Sequence, residues 1–217
     1  GQNVLISPFS IQTALTMTTN GAKGTTLAEM LGVMGCDNCS VSDLNALHRD
    51  LTTLLTKQSG HPSVTVSNRY FYDEKRINVK SPFLSTLSTY YNSGSDILEF
   101  NNEQGSLDHI NGWVKTSTKG KIEKILDRIT ADDVAFLINA LHFKADWAMG
   151  FSSEMTYKAP FTKADGSVAQ VDFVNADRNF TFAQSAQHNL VDIPFKDSTF
   201  SFSLIQPSQT NTATDWH

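Results

Sequence analysis

Residues 134–143 read VAFLINALHF, a ten-residue run in which only Asn139 and His142 are polar. A strand with one face in water alternates apolar and polar side chains, so a run this continuous must be covered on both faces. Any fold that accepts it needs a sheet with a further layer on each side. The rest of the chain offers those layers in a definite order. Helical spacing dominates up to about residue 118, and from Tyr157 onward the text is strand and turn. Helices first and antiparallel strands second point to an α+β architecture and away from a doubly wound βαβ sheet.

The helical stretches have legible ends. Ser7-Pro8 opens a buried helix over 8–20 that stops at Asn20-Gly21, because a serine followed by a proline satisfies and pre-shapes a first turn. A second helix over 26–34 enters through Gly24-Thr25 and leaves at Gly35. The third, over 41–58, carries Val41, Leu44, Leu47, Leu51, Leu54 and Leu55 on one face. Alternation and β-branched or aromatic residues predict a strand over 63–72 and a short one over 96–100. Between them Ser81-Pro82 opens a helix to Tyr91, and Leu107, Ile110 and Val114 mark another over 105–118 that ends at Gly120. The later strands turn at Asp165-Gly166 and Lys196-Asp197. The first helix is odd: Ser7, Ser10, Thr13, Thr16, Thr18 and Thr19 load an otherwise apolar segment with hydroxyls.

With 217 residues, 40% apolar and 18% charged, the chain has material for a sizeable core in one domain. A net charge of -5 without clustered Lys and Arg argues against nucleic acid as a partner. No window approaches the roughly 18 apolar residues of a membrane span. Cys36 and Cys39 form a lone CxxC, a loop pair lacking the further ligands of a zinc site. Asn38-Cys39-Ser40 and Asn179-Phe180-Thr181 are N-glycosylation sequons. Sequons and cysteines together lean toward a secreted or cell-envelope protein. The abrupt opening GQNVLIS and closing TATDWH read as cuts from something longer.

Catalytic patterns are missing from the text: no GxSxG, no GxxxxGK[ST], no GxGxxG and no HExxH. His142 to Asp146 has the HxxxD spacing of some acyltransferases, but two fixed positions in five recur by chance. Ser7, Ser10 and His142 have neither an orienting acid nor an oxyanion hole around them in sequence. The helix from Asp43 to Lys57 sets His48, Arg49 and Lys57 against Asp43 and Asp50, which reads as a solvated face and not as a polyanion site.

Four segments in order resemble the serpin family. NVLISPFSI (3–11), followed by Ala14, Leu15, Met17 and GAKGTT (21–26), is similar to its helix B region. INGWV (110–114) with TKGKI (118–122) resembles its helix F segment, including Asn111 and Gly120. LINALHFKADW (137–147), with Phe151 beyond, looks like the central-sheet strand that ends in a tryptophan, and LVDIPF (190–195) with 200–207 looks like two B-sheet strands.

The resemblance implies a serpin fold, with helices packed on a large central sheet and a second B sheet. Residues 1–217 would be a single incomplete domain, from helix B through the early B-sheet strands, with the reactive-centre loop and the C-terminal strands absent. It implies a metastable suicide-substrate inhibitor of a serine, or possibly cysteine, protease, working by conformational change and needing no cofactor. It implies a protein that is not an enzyme and in which a cleaved loop would insert into the central sheet, an order–disorder switch for which serpins are themselves a standard example. The alternatives are a non-inhibitory carrier, chaperone or storage member, and more remotely the HxxxD acyltransferase. By resemblance, Ser7, Ser10 and Asn139 form the shutter where the sheet opens, with Asn139 expected as the hydroxyls' partner. Trp147 and Lys144 mark the breach where insertion begins. The implied protein is a monomer with a tendency to polymerise, and residues 1–217 expressed alone are expected to aggregate through exposed sheet edges.

Overall fold

Serine, proline and glycine signals set most element ends in the computed structural model, which describes residues 3–36, 38–57, 62–163, 165–196 and 199–207. Gln58, Asp197 and the closing TATDWH lie outside the described residues. Two compact units form: residues 5–57 with 64–143, and residues 144–207 with the short stretches 3–4 and 62–63.

In the first unit α1 (Pro8–Thr19) starts at the N-cap Ser7, whose side chain accepts from the Ser10 N–H. It is followed by α2 (Gly24–Val33) and α3 (Val41–Thr56). A Ser40/Asp43 capping box opens α3, each side chain satisfying the other residue's backbone N–H. Strand β1 (Ser63–Tyr72) leads through α4 (Ser81–Tyr91) to β2 (Ser93–Ile97), and α5 (Glu103–Ser117) precedes β3 (Ala135–Lys144). The strand order is β2-β1-β3, with β1 and β2 parallel. One βαβ crossover therefore sits inside an α+β protein. A single left-handed residue, Asn92 (φ 47°), closes α4 and turns the chain straight into β2. This starts the strand at Ser93, whereas the sequence placed it over 96–100. Phe100 instead enters the core just beyond the strand.

The sheet is covered on both faces, as the 134–143 run requires. Phe71, Phe136 and Ile138 meet Leu107, Ile110 and Val114 of α5 on one face. Tyr70, Tyr72, Ala135 and Leu137 belong with Met17 of α1 and Leu87 and Tyr91 of α4 on the other. Alternate residues of each strand thus serve alternate layers.

One face assignment needs correction. On α3 the buried residues are Leu44, Asn45 and His48, whereas Leu47 is 58% and Leu54 66% exposed. Polar side chains, and not the leucine stripe, draw this helix inward, because α1 and α4 present hydrogen-bond partners to them. Cys36 and Cys39 are joined in a disulfide between α2 and α3.

At the parallel edge, Arg69 makes a two-pronged contact with Asp96 through Nε and Nη2. The guanidinium passes over Gly94, where an added Cβ would lie 2.1 Å from Nη1. His109 on α5 approaches the same carboxylate at 3.1 Å. The Arg69 hydrogen bond, aided by His109, holds the Asp96 carboxyl below its ordinary range despite partial burial.

The second unit is built of hairpins. Strands β4 (Tyr157–Thr162) and β5 (Val168–Phe173) pair antiparallel, with Gly166 in the left-handed region at their turn (φ 80°). Strands β6 (Thr181–Gln184), β7 (His188–Pro194) and β8 (Ser201–Pro207) form an antiparallel sheet in that order. Arg178 spans the neighbourhood, donating to the carbonyls of Met149 and Gly150 while its guanidinium covers Phe151.

Candidate functional site

The hydroxyls of α1 have separate fates. Thr13 donates to the Phe9 carbonyl, Thr16 to Gln12, Thr18 to Ala14 and Thr19 to Thr16, so the threonines back-bond to their own helix. Ser7 Oγ donates to Ser10 Oγ at 2.9 Å. Asn139 is not joined to either serine. Its Nδ2 donates to Asn68 Oδ1 at 2.7 Å, while its own Oδ1 is buried without a partner among the described residues. The expected partner was a hydroxyl on α1; the strand pairing instead sets Asn139 beside an amide on β1, whose carbonyl accepts its hydrogen bond.

Asn68 begins a seam that the sequence did not disclose. Its Nδ2 donates to the Tyr91 carbonyl at 2.7 Å. The Tyr91 hydroxyl donates to Asn45 Oδ1, and Asn45 and Asn20 exchange amide hydrogen bonds at 2.8 and 3.0 Å. Asn20 Nδ2 also reaches the Thr16 carbonyl at 2.9 Å. Side chains and two backbone carbonyls, those of Tyr91 and Thr16, therefore connect β3 through β1, α4 and α3 to α1. Asn20, Asn45 and Asn68 each use both ends of their amides in hydrogen bonds, the condition for burying them, and Asn139 uses one.

His48 stands beside this seam. Its ring lies between Phe9 and Tyr91, with centroids 5.6 and 4.5 Å away. Thr13 spends its one hydroxyl proton on Phe9, so His48 Nε2–H is the donor in their 3.0 Å contact. Burial pushes the imidazole below its ordinary value, only partly offset by the Tyr90 backbone, and Nδ1 has no partner at hydrogen-bonding geometry.

The other expected residues divide between the units. Asn111 on α5 donates to the Leu126 carbonyl and accepts from the N–H groups of Ile125 and Leu126, strapping the segment after the helix back onto it. Gly120 takes φ 78° just past α5, and its N–H closes on Lys115 O at 2.7 Å, a helix stop that needs a residue free to enter the left-handed region. In the second unit Trp147 stacks on Phe195 at 4.8 Å and meets Phe151 and Phe202 edge-on. Lys144, at the end of β3, is exposed. Of the HxxxD pair, His142 is buried with Nδ1 unpartnered, and the Asp146 backbone carbonyl accepts from Lys196 N–H. Neither has the orienting partner that a catalytic base needs. No group of three or more potential metal ligands occurs among the described residues.

Fold and seam together define the class: a mixed α+β protein whose central sheet is layered on both faces and tied to its first helix by a polar seam, without a catalytic constellation among the described residues. The family model for serpin (serine protease inhibitor) matches residues 1–216. An uncharacterized serpin-like protein of Methanosarcina mazei is 27% identical over 213 residues, covering 97% of this chain and 50% of the relative. The leukocyte elastase inhibitor of Xenopus laevis is 29% identical over 215 residues, covering 96% and 56%. Among solved structures, the thermophilic serpin tengpin matches in its latent and its native state, each with TM-score 0.91 and 30% identity over 99% of this chain. Those matches cover 57% and 54% of the tengpin chains. The chain belongs to the serpin family, and it spans about half the length of the curated relatives it matches.

Proposed function

We propose that this chain is the part of a suicide-substrate protease inhibitor that holds the sheet before a cleaved loop inserts, the protein acting on serine, or possibly cysteine, proteases. The observation that carries the reading is the position of Asn139. It lies on β3, an edge of the β2-β1-β3 sheet, and its one hydrogen bond goes inward to Asn68. An edge strand presents unpaired backbone groups to any strand that arrives beside it. The half-buried Asn139 side chain has an acceptor to spare in its buried Oδ1. In this reading Asn68 and Asn139 hold the sheet through a pair that re-forms after strands shift, which an apolar contact opening to water does poorly.

Ser7 and Ser10 contribute to the same shutter by fixing the start of α1, and Trp147 with Lys144 belongs to the breach where insertion begins. The same open edge supports a tendency of the monomer to polymerise. The protein works without a cofactor, in the secreted or envelope setting that the Cys36–Cys39 disulfide favours. Among the described residues no helix is long and apolar enough to cross a membrane.

The test is incubation of the intact protein with a panel of serine and cysteine proteases, followed by denaturing electrophoresis. A complex that survives denaturation, with release of a C-terminal peptide, is expected for at least one protease. Cleavage by every protease without any stable complex refutes the inhibitory reading.

A further inference from the structure

One end of the β2-β1-β3 sheet is closed by a single arginine that lies outside the seam. Arg76 sits in the turn that leaves β1, where its N–H and that of Ile77 both donate to the Asp73 carbonyl. Its Nη1 donates to the carbonyls of Thr130 at 2.9 Å and Asp133 at 2.8 Å, in the segment that enters β3. Its Nη2 donates to Asn101 Oδ1 at 2.7 Å, just past β2, and the guanidinium lies over the Phe100 ring at 5.5 Å. Nε faces Asp73 Oδ2 at 3.4 Å. One planar group thus grips the exits of β1 and β2 and the entry of β3, a spread of acceptors that suits the five donors of a guanidinium and not the point charge of a lysine.

Asp73 works on the same three strands. Its Oδ2 accepts from the Phe100 N–H at 3.0 Å, and its own N–H donates to the Val134 carbonyl at 3.1 Å. Burial pushes its carboxyl up, but the N–H groups of Lys75 and Phe100, with the Arg76 and Lys75 charges, more than offset this and hold it below the ordinary carboxylate range. The Asp73 side chain is 2% and that of Arg76 18% exposed. A buried ion pair adds little net stability over apolar packing, and its best-attested use is to fix one arrangement against alternatives. The arrangement fixed here is the alignment of three strand ends. The Asn68–Asn139 pair joins the same two strands five residues from Asp73 and Val134, about 17 Å away at the rise of a strand. One end of β3 is therefore held by a charged fork, and the middle of it by a single amide bond.

We propose that Arg76 is a positioning residue for loop insertion: it holds the exits of β1 and β2 and the entry of β3 together as a fixed end, so that strands shift only beyond it, on the Asn68–Asn139 side. The inference rests on the inhibitory reading and gives the opening sheet a pivot. Without the fork the entry of β3 moves with the rest of the strand, insertion is slower, and more of the attacking protease completes its turnover before it is trapped.

The experiment compares the intact parent with Arg76→Met and Arg76→Lys against a protease that the parent traps. The stoichiometry of inhibition is read for each, and the parent is also read in urea set to lower its stability to that of each variant. Arg76→Met is expected to raise the stoichiometry about threefold or more over the stability-matched parent, because several charged hydrogen bonds are lost together. Arg76→Lys keeps the charge beside Asp73 but not the fork, and raises it by a smaller factor. Amide exchange of the parent before and after loop cleavage needs no variant: the N–H groups of Asp73, Leu98 and Phe100, bonded to Val134 O, Tyr72 O and Asp73 Oδ2, keep their protection through insertion. A stoichiometry that follows stability alone, or lost protection at those three amides, overturns the inference while the inhibitory reading stands. A parent that traps no protease refutes that reading, and the pivot falls with it.

Discussion

Removing the Asn139 side chain tests whether the seam under β3 is a coupled unit or a row of independent contacts. Asn139→Ala breaks the 2.7 Å bond to Asn68, which is only 4% exposed and so cannot recover a water freely. An acceptor stranded in this way costs about 1–3 kcal/mol. The substitution also removes the unpartnered Asn139 Oδ1, a relief of similar kind, so the net loss expected is about 1 kcal/mol. Asn68→Ala should cost more, about 2–4 kcal/mol, because it strips partners from both Asn139 and the Tyr91 carbonyl. In the double variant the shared bond is lost only once, leaving a coupling of about 1 kcal/mol. Urea unfolding of the intact protein and its three variants measures the cycle, and the stoichiometry of inhibition is followed in parallel. Additive losses, within about 0.3 kcal/mol, would refute the pairing as an energetic unit. Unchanged inhibition in all three variants would remove its proposed part in sheet opening.

Three further outcomes follow from particular contacts. His48 has a folded-state pKa lowered by burial, so its contribution is present above the ordinary histidine pKa of about 6.5 and is lost as pH falls through the folded value. His48→Gln should flatten the decline in melting temperature below about pH 6.5, and an unaltered slope would contradict it. Asp96 is depressed chiefly by Arg69, so its contribution is present above the ordinary carboxylate value of about 3.9 and fades only in stronger acid. Asp96→Asn should therefore lower stability at neutral pH while narrowing the difference from the parent toward pH 2, which an acid titration followed by circular dichroism reads. Asn111→Ala leaves two N–H groups and one carbonyl of the 125–126 segment to water, at a cost of about 2 kcal/mol, and amide exchange at Ile125 and Leu126 should speed up while that in β1 does not.

Much of the fold could be read from the text because its signals are local. Ser7-Pro8, Ser81-Pro82 and Gly120 work through their own backbone turns, and the apolar run at 134–143 states its two-sided burial in composition alone. The boundary of β2 was illegible for a specific reason: Asn92 begins the strand by adopting a left-handed conformation, and SGSD carries no strand propensity of its own. Parallel pairing with β1 supplies what propensity lacks. The buried face of α3 was misread because leucine periodicity outweighs one asparagine and one histidine in any hydrophobic pattern. Only the partners on α1 and α4 make Asn45 and His48 the inward side. Of the seam's residues only Asn139 was singled out by family resemblance; Asn20, Asn45, Asn68 and Tyr91 are common residues far apart in sequence, and no spacing rule joins them. A buried amide with both ends used is recognisable only once its neighbours are in place.

Gly94 has a role larger than its size. The Arg69 guanidinium occupies the space over it on the way to Asp96, so the edge strand is keyed to its neighbour like a tooth in a rack. Sliding β2 by a single residue would bring the Cβ of Ser93 or Ser95 under the guanidinium and withdraw the carboxylate it grips. The β2 side of the sheet is thus fixed in register, and in the proposed reading any freedom to admit or release a strand is left to the side that ends in β3.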